Sequence, residues 1–354
     1  MKRRIAAASR AGLRGLIALV ITMVIASVAL FVLMRVIPGD PASVLAGDAN
    51  ATQQSIAQVR HSLGLDQPMY AQYLTWLRNA VHGNLGASYF SRDSVTSVLG
   101  TTLPDTLWIV FGGLLLAGVL GIPAGILAAL RAHRPADSAI RHVATVASAI
   151  PAFWLGGLLA GLLAITFRLF PATGFVSPTT DPAGFISHLV LPCLAVALSI
   201  AASVTRQTRS AMLEALGSES IRTLRAMGIP EWKIVWQHAL KNASVPVVTV
   251  LGLDMNRAIS GVVVVEAVFG IPGIGSQLVS SVLQRDFPVV QGGILTLILL
   301  VMVMNLLLDV VCSVLDPRTA NAVPRYRGRR VRRRLAPAPE PSVAALQAST
   351  GGEA

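Results

Sequence analysis

Three polar residues interrupt an apolar run in the C-terminal third of the chain. Asp254, Asn256 and Arg257 lie within 243–267, a stretch otherwise rich in Val, Leu and Ile. A charge in the middle of a bilayer costs about 2.5–3.5 kcal/mol on translocon scales, so these side chains should face a bundle interior or a wet cavity. Asp254 and Arg257 can neutralise each other as i, i+3 neighbours on a helix. Alternatively, Asn256 and Arg257 line a solute pathway and contact backbone or carboxylate groups of the solute.

Other polar residues lie near the ends of apolar runs. Glu266 joins Asp254, Asn256 and Arg257 as a pathway candidate, because it precedes a Gly/Pro-rich stretch that suits a re-entrant turn or a gate. Asp309 and Asn305 are expected to join helices by hydrogen bonding. An intramembrane enzyme is an alternative that would need paired catalytic residues at one depth. Asp254 and Asp309 are the only acids well inside apolar runs, and neither belongs to a hydrolase motif.

The sequence offers little for metal, redox or nucleotide chemistry. Cys193 and Cys312 both fall inside apolar runs, so each is expected to be a small buried hydrophobe and not half of a disulfide. No His/Cys cluster suggests a metal site. The chain has no phosphate-cradling G-x-x-x-x-G-K-[ST] sequence. We therefore expect no cofactor in this chain.

The composition is that of a membrane protein. Hydrophobic residues make up 53% of the 354 residues, charged residues 13%, and the mean hydropathy is +0.65, whereas globular domains carry about 25% charged residues. The net charge of +12 could indicate nucleic acid. The basic residues, however, lie at the two ends and in short segments between apolar runs, without the scaffold of a nucleic-acid-binding module. Composition therefore predicts an all-α polytopic membrane protein that contacts the lipid bilayer and no nucleic acid.

Six stretches have the length of about 20 mostly apolar residues that a transmembrane helix needs. The first follows a basic N-terminus, 1–14, so a cleaved signal peptide is its alternative. Its apolar run is longer than the usual h-region of about 7–15 residues and shows no clear cleavage site before Arg35, so we expect a retained helix. The six predicted spans are 15–37, 105–130, 141–167, 188–208, 243–267 and 292–315.

The placement of Lys and Arg predicts the orientation. Basic residues concentrate before the first span, between the second and third, between the fourth and fifth, and after the sixth. The segment 38–104 holds only Arg60, Arg78 and Arg92, so we expect it to be extracytoplasmic and both termini to be cytoplasmic. The remaining units are a core of five helices over 105–318, which includes a cytoplasmic segment at 209–242, and a basic cytoplasmic tail, 319–354, which cannot bury a core and is expected to be disordered.

The outer segment 38–104 should contain a helix of its own. Asp66 and Pro68 supply helix-start chemistry, and Gly83 ends the run. One helical face should rest on the bundle or at the membrane interface; an interfacial helix without a partner is the alternative. The residues of that face are Tyr70, Tyr73, Leu74, Leu77 and Val81.

The stretch 209–242, between the fourth and fifth spans, is too polar to cross a membrane and too patterned to be a linker. It is expected to form two short helices, 219–227 and 231–241, with a break at Gly228 and Pro230. Charged and apolar residues interleave in both, so an apolar side is exposed and needs a partner groove. A helical hairpin lying on the bilayer is the alternative.

This stretch resembles the EAA loop of ABC importer permeases, in the dipeptide/oligopeptide/nickel branch. Positions 222–228 read R-T-L-R-A-M-G, followed by H-A-L-K-N at 238–242 and by Pro246. The usual pattern is R-T-A-R-A-K-G, then H-A-L-x-N and Pro, so Leu224 replaces Ala and Met227 replaces Lys. The ATPase-coupling residues that the resemblance implies are Arg222, Thr223, Leu224, Arg225, Ala226, Met227, Gly228, Ile229 and Pro230.

Further motifs of the same family follow in order along nearly the whole chain. Each is weak alone, and the ordered set is specific. They are R-V-I-P-G-D-P at 35–41, L-G-L-D-Q-P at 63–68, G-N-L-G-A-S at 83–88, I-P-A-F-W-L-G at 150–156, F-P-A-T-G at 170–174, H-L-V-L-P at 188–192, E-A-V-F-G-I-P-G-I-G at 266–275, R-D-F-P at 285–288 and L-D-P-R at 315–318.

The resemblance implies a six-helix type I ABC importer permease in the bacterial inner membrane. Its implied partners are a second homologous permease, two cytoplasmic ATPases that bind ATP and Mg²⁺, and an extracytoplasmic solute-binding protein. The chain itself would not be an enzyme. An ion-coupled secondary transporter is an alternative, although no inverted repeat is visible. The same pattern serves dipeptides, oligopeptides, nickel chelates, glutathione and some sugars, so the substrate stays open within these classes.

Overall fold

The computed structural model describes residues 2–36, 41–46 and 52–315, and the predicted tail 319–354 lies outside them. The described chain is almost entirely helical, and its β-pairing is one isolated bridge between Ala87 and Ser94. In chain order the helices are α1 (Lys2–Val36), α2 (Pro41–Leu45), α3 (Gln53–Ser62), α4 (Met69–Val81), α5 (Val95–Leu130), α6 (Pro135–Ala149), α7 (Ala152–Leu159, continued by a π-helix Ala160–Thr166), α8 (Pro182–Leu216), α9 (Glu219–Ala226), α10 (Glu231–Lys233, continued by a π-helix Ile234–Ala239), α11 (Leu240–Phe269), α12 (Ile274–Gln284) and α13 (Phe287–Leu315).

Five helical stretches among the described residues are long and apolar enough to cross a membrane. They belong to α1, α5, α8, the continuous helix from α10 to α11, and α13. A sixth crossing results if α6 and α7 with its π-helix count as one bent span. The predicted all-α polytopic fold is confirmed.

The third predicted span, 141–167, corresponds to two helices, α6 and α7 with its π-helix, joined by a sharp bend. The chain bends by 102° between α6 and α7. Ile150 is extended, at φ −91° and ψ 127°, because the ring of Pro151 disfavours a helical conformation in the residue before it. Hydropathy alone did not register this break, since both sides of it are apolar.

The other spans are longer helices than the predicted ranges. The helix predicted at 105–130 begins at Val95, and the one predicted at 188–208 runs over Pro182–Leu216. Hydropathy identifies only the part of a helix that is apolar enough for a bilayer. The polar turns at either end continue the same backbone hydrogen bonding, so the helices reach past their apolar centres.

The most extensive helix contact joins α5 and α8, which run parallel. Small residues recur every fourth position on the buried face of α5, at Gly113, Ala117, Gly121 and Gly125. A Cβ on Gly121 would lie 2.8 Å from the Ala201 carbonyl oxygen of α8. Residues three and four apart share one helix face, so this stripe lets two backbones approach as small-xxx-small interfaces do in membranes.

Helix α11 completes the centre of the bundle, and an ion pair joins α6 to α8. Apolar side chains of α5, α8 and α11 form one buried cluster. The buried carboxylate of Asp137 in α6 accepts two hydrogen bonds from Arg209 of α8, at 2.6 and 2.8 Å, and one from the His133 backbone N–H at 3.1 Å. This fork geometry gives a charge-assisted pair.

The described part of the segment 38–104 contacts the bundle at two places. Ser88 Oγ and the Tyr89 backbone N–H donate to the buried carboxylate of Asp286, just before α13. The ring of Tyr73 on α4 packs edge-on against Phe31 of α1 at 5.4 Å. Of the predicted face of α4, Tyr73 therefore rests on the bundle, whereas Tyr70, Leu74 and Val81 are exposed in the described chain.

The glycine stripe predicts a position-specific response to a single methyl group. Gly121→Ala should destabilise the protein by about 1–3 kcal/mol, because the added Cβ meets backbone of α8 that cannot move aside. Gly118→Ala on the same helix is the matched control, since a Cβ there meets nothing within 4 Å and alanine favours helix. The measurement is the thermal unfolding midpoint in detergent. Equal midpoints for the two variants would contradict the close-approach interpretation.

Candidate functional site: the α8–α11 connection and the polar face of α11

The connection between α8 and α11, residues 217–239, is anchored by three buried apolar residues. Ile221 of α9, and Ile234 and Val235 of the π-helix that follows α10, are each at most 5% exposed. Val235 belongs to a cluster that includes Ile126 and Met212, near the C-terminal ends of α5 and α8. Val235 therefore packs this connection against the ends of two long helices.

The turn after α9 is a Schellman motif centred on Gly228. The Gly228 N–H donates to the Arg225 carbonyl at 3.0 Å, and the Ile229 N–H donates to the Leu224 carbonyl at 3.2 Å. This pair of bonds is the pattern that ends helices in a left-handed residue. Gly228 has φ +76°, and a Cβ there would meet nothing within 4 Å. Backbone conformation, and not crowding, is what favours glycine at this position.

A charge pair closes the turn. Arg225 Nε donates to Glu231 Oε1 at 2.6 Å, and Nη2 donates to Oε2 at 3.4 Å. The hydrogen bond to Glu231 raises the pKa of the Arg225 guanidinium. Both side chains are substantially exposed, so the pair contributes little to stability and mainly orients the start of α10 relative to α9.

The predicted second helix, 231–241, is wrong as a separate element. The helix that begins at Glu231 passes through the π-helix Ile234–Ala239 and continues without a break to Phe269. Residues 209–216 likewise belong to α8. The connection is therefore one short helix held between the ends of two long ones, because Pro230 starts a helix but nothing after it stops one.

The exposed side of the connection is apolar as well as basic. Met227, Trp232 and Trp236 are each 58–71% exposed, and the Lys233 ammonium lies over the Trp232 ring. Arg222 also points to solvent and pairs weakly with Glu219 at 3.5 Å. Large aromatic side chains with an arginine beside them are typical of protein interface anchors.

In α11, Asp254 and Arg257 form the pair that their spacing predicts. Arg257 Nη1 lies 2.8 Å from Asp254 Oδ1, and Ser203 of α8 donates to Asp254 Oδ2. The two partners differ in environment, because the Asp254 side chain is 4% exposed and that of Arg257 is 77% exposed. Asp254 therefore links α11 to α8, while the guanidinium extends onto an open face.

That open face of α11 is a stripe without cover in the described chain. Leu253, Arg257, Ser260 and Val264 recur at helical spacing and are all exposed. Asn256, beside them, is half-buried and donates from Nδ2 to Asn305 of α13 at 3.2 Å. Asn305 thus joins helices as expected, whereas the side chain of Asp309 lies outside the described ones.

Glu266 is fully buried and not on any surface of the chain. Its Oε1 accepts from Thr106 of α5 at 2.6 Å, and its Oε2 accepts from the Ser276 N–H of α12 at 3.1 Å. Thr106 in turn accepts from the Ile274 N–H at 2.9 Å. The carboxylate occupies the N-terminus of α12, where the helix dipole favours negative charge, and it ties three helices together.

The family assignment rests on two matches that together span most of the chain. Residues 121–321 match the family described as binding-protein-dependent transport system inner membrane component, and residues 10–110 match the N-terminal family of the same membrane components. The chain is a permease of this family. Members are transport subunits and not enzymes, and the family carries no cofactor of its own. The alternatives of an intramembrane enzyme and an ion-coupled transporter are therefore wrong.

The relatives of this permease are named as peptide transporters. It is 37% identical over 308 residues to a di/tripeptide transport system permease of Pseudomonas aeruginosa, covering 81% of this chain and 92% of that protein. It is 38% identical over 309 residues to a probable D,D-dipeptide permease of Escherichia coli K12, covering 81% and 91%. It is 37% identical over 305 residues to a glutathione permease of Escherichia coli, covering 86% and 97%.

A solved structure supports the fold of the permease. A chain of the inward-facing MetNI methionine ABC transporter aligns with a TM-score of 0.52 at 18% identity, covering 62% of this permease and 96% of that chain. The ABC importer family implies an ATPase, a solute-binding protein and an inner-membrane location for this multi-pass subunit.

Sequence reasoning missed two features of the helix packing. It did not register the α5 glycine stripe, although the four-residue spacing of Gly113, Ala117, Gly121 and Gly125 is visible in the sequence. It also treated Asp286 only as part of a motif. The described structure brings that motif, R-D-F-P, onto G-N-L-G-A-S through the Ser88 hydrogen bond, a pairing across 198 positions that one sequence does not reveal.

The unequal burial of Asp254 and Arg257 predicts unequal single variants. Arg257→Gln should destabilise the permease by about 1–3 kcal/mol, because it leaves a buried carboxylate without its charge partner. Asp254→Asn should cost less, since the freed guanidinium is mostly exposed. The double variant should recover much of the Arg257→Gln loss. Thermal midpoints of the three variants give the comparison, and a milder effect for Arg257→Gln than for Asp254→Asn would contradict it.

Proposed function

We propose that the permease forms half of a pathway that imports peptides or a related small solute, driven by ATP hydrolysis on partner subunits. The names of the relatives support a peptide-class cargo, since they include di/tripeptide, D,D-dipeptide and glutathione systems. A solute-binding protein delivers the cargo from outside. ATP and Mg²⁺ bind the two cytoplasmic ATPases, so this chain needs no nucleotide site.

The observation that carries the proposal is the exposed Arg257 in the middle of an apolar helix. A guanidinium facing lipid at mid-span is costly, whereas one facing a wet cavity or another subunit is not. The stripe Leu253, Arg257, Ser260 and Val264 therefore faces a second, homologous permease across a hydrated pathway. Arg257 and Asn256 are suited to hold the carboxylate and backbone carbonyls of a peptide. Asp254 and Glu266, being buried, support this wall without contacting solute.

Pathway lining by Arg257 can be separated from its structural role by transport assays. The Asp254→Asn/Arg257→Gln double variant removes both charges, so it should insert well while importing a peptide at least about tenfold more slowly, as expected when a charged hydrogen bond of about 1.5–3 kcal/mol is lost. Uptake per inserted molecule is measured in proteoliposomes with both ATPases and the binding protein. Near wild-type uptake by the double variant would exclude a pathway role for Arg257.

The α8–α11 connection is the proposed ATPase-coupling site. Its exposed Met227, Trp232 and Trp236 supply apolar anchors, and its buried Val235 packs against the ends of α5 and α8. Closure of the ATPase dimer then displaces α9 and turns α8 and α11 as packed bodies. The left-handed conformation of Gly228 sets the angle between α9 and the helix that begins at Glu231.

Gly228 gives a direct test of coupling through backbone conformation. Gly228→Val should insert normally but lose transport and ATPase association, because a β-branched residue is strained at φ +76°. Gly228→Asn is the matched control, since asparagine tolerates the left-handed region, and it should retain most activity. The measurements are peptide uptake and co-purification of the ATPase. Equal loss in both variants would mean that side-chain bulk, and not the turn, matters.

The proposed orientation places both termini in the cytoplasm and the Ser88–Ser94 region outside. On a background lacking Cys193 and Cys312, a single cysteine at exposed Ser91 should react with an impermeant maleimide in intact cells. A cysteine at exposed Ser220 should react only after permeabilisation. Labelling of position 220 from outside would invert the scheme and remove the ATPase assignment of the α8–α11 connection.

A further inference from the structure

Helix α6 lies across α8 and not along it. Asp137 and Ser148 are eleven residues apart on α6, which is about 16 Å at the rise of an α-helix. They contact Arg209 and Arg206, which are only three residues apart on α8. Because α8 is one of the helices long and apolar enough to cross the membrane, α6 is directed close to the membrane plane.

The same contacts give the depth of α6 along α8. Arg206 and Arg209 lie at the end of the apolar run 188–208, where α8 continues towards the α8–α11 connection. The helix after the bend goes deeper, because a Cβ on Gly156 of α7 would lie 3.6 Å from the Ala195 side chain, well inside that run. Helix α6 therefore stays at the level where a spanning helix leaves the hydrocarbon region.

The surface of α6 has three separate faces at this level. Asp137 and Ala144 are buried against the bundle. Ala139, Val143 and Val146 recur at helical spacing and are exposed, Val143 by 70% and Val146 by 61%. The third face is polar and exposed, with Arg141, Thr145 and Ser148. An apolar stripe beside a polar face is typical of helices that lie in the plane of a membrane interface.

The charge around the start of α6 is positive. Asp137 is the one acid in the segment 131–149, and its buried carboxylate is already held by Arg209. Arg131 and Arg134, in the turn before α6, are exposed and form no salt bridge with any described residue. Two guanidiniums at the level where the hydrocarbon ends are complementary to the phosphates of anionic lipids.

We infer that α6 is an interfacial helix that binds anionic phospholipid. Ala139, Val143 and Val146 contact the acyl chains, and Arg131 and Arg134 contact the phosphates. The combination of an apolar stripe with cations at its edge matches the layers of one leaflet, in which acyl chains lie directly beneath charged headgroups. The inference depends neither on what the permease transports nor on which side of the membrane this end faces.

Lipid bound at α6 acts on the bundle through one ion pair. The fork of Arg209 on Asp137 joins α6 to α8, one turn or two before α8 ends at Leu216. A leaflet that holds α6 therefore also positions the end of α8 next to the α8–α11 connection.

Quenching by lipids tests both the contact and the preference for charge. On a background lacking Cys193 and Cys312, Val143→Cys carries a bimane fluorophore, and Thr145→Cys on the polar face is its matched control. The permease, purified together with its partner ATPases, is reconstituted in phosphatidylcholine vesicles. These contain a varied fraction of lipid with a nitroxide on the acyl chain, either phosphatidylcholine or phosphatidylglycerol. The measured quantity is the loss of bimane fluorescence at each fraction.

We expect quenching at position 143 to be at least about twice that at position 145, because the nitroxide lies among the acyl chains. Nitroxide phosphatidylglycerol should reach half-quenching at a fraction about threefold lower than nitroxide phosphatidylcholine does. Arg131→Gln/Arg134→Gln should abolish this preference and leave quenching by phosphatidylcholine unchanged. Arg78→Gln/Arg92→Gln removes the same charge elsewhere and should keep the preference.

Three results would overturn the proposal. A fluorophore at position 143 that neither lipid quenches, or that is quenched no more than at position 145, would mean that water or another subunit covers the stripe. Equal quenching by the two lipids would mean contact without recognition of charge. A preference that survives in Arg131→Gln/Arg134→Gln would mean that these two guanidiniums do not bind the phosphates.

Discussion

The close approach of α5 and α8 is the contact on which the rest of the permease depends. Both helices run the full depth of the bundle, and glycines at 121 and 125 leave no room for a side chain between the backbones. In a bilayer, packing and not water exclusion holds helices together, so tight contact over several turns is the main available stabilisation. Helix α11 adds to this pair through Ser203 and Asp254, and the α8–α11 connection begins where the pair ends.

Sequence reasoning predicted the class of fold and the position of the turn at Gly228 because both depend on local signals. Hydropathy marks spans, and a glycine after a short amphipathic helix marks a left-handed cap. It failed at Pro151, where the bend lies between two apolar stretches, and at Glu231, where a polar start leads into a spanning helix. Glu266 was predicted as a pathway candidate because it precedes a Gly/Pro-rich stretch that suits a re-entrant turn or a gate. Its burial depends on Thr106 and Ser276, which only the folded chain brings to it.

The two ends of the helix bundle differ in how their polar and aromatic residues are placed. On the α8–α11 side, buried anchors lie directly beneath exposed aromatic residues, so a force applied at Trp236 acts on packed helix ends. The π-helix Ile234–Ala239 lies within this path, and π-helical turns are rare and often occur at functional positions. At the opposite end of α11, the buried carboxylates of Glu266 and Asp286 hold loops and a helix N-terminus in place. The moving parts are therefore expected at the end that carries the α8–α11 connection.

The i, i+3 spacing of Asp254 and Arg257 also has a consequence for biogenesis. The two charges can meet as soon as this turn of α11 becomes helical, without help from any other helix, whereas the contact with Ser203 needs α8 in place. A nascent helix leaving the translocon thus carries one self-neutralised pair in place of two separate ions, each of which would cost about 2.5–3.5 kcal/mol to insert. Partition into lipid can precede assembly, and Ser203 then adds a hydrogen bond to Asp254, which keeps its pair with Arg257.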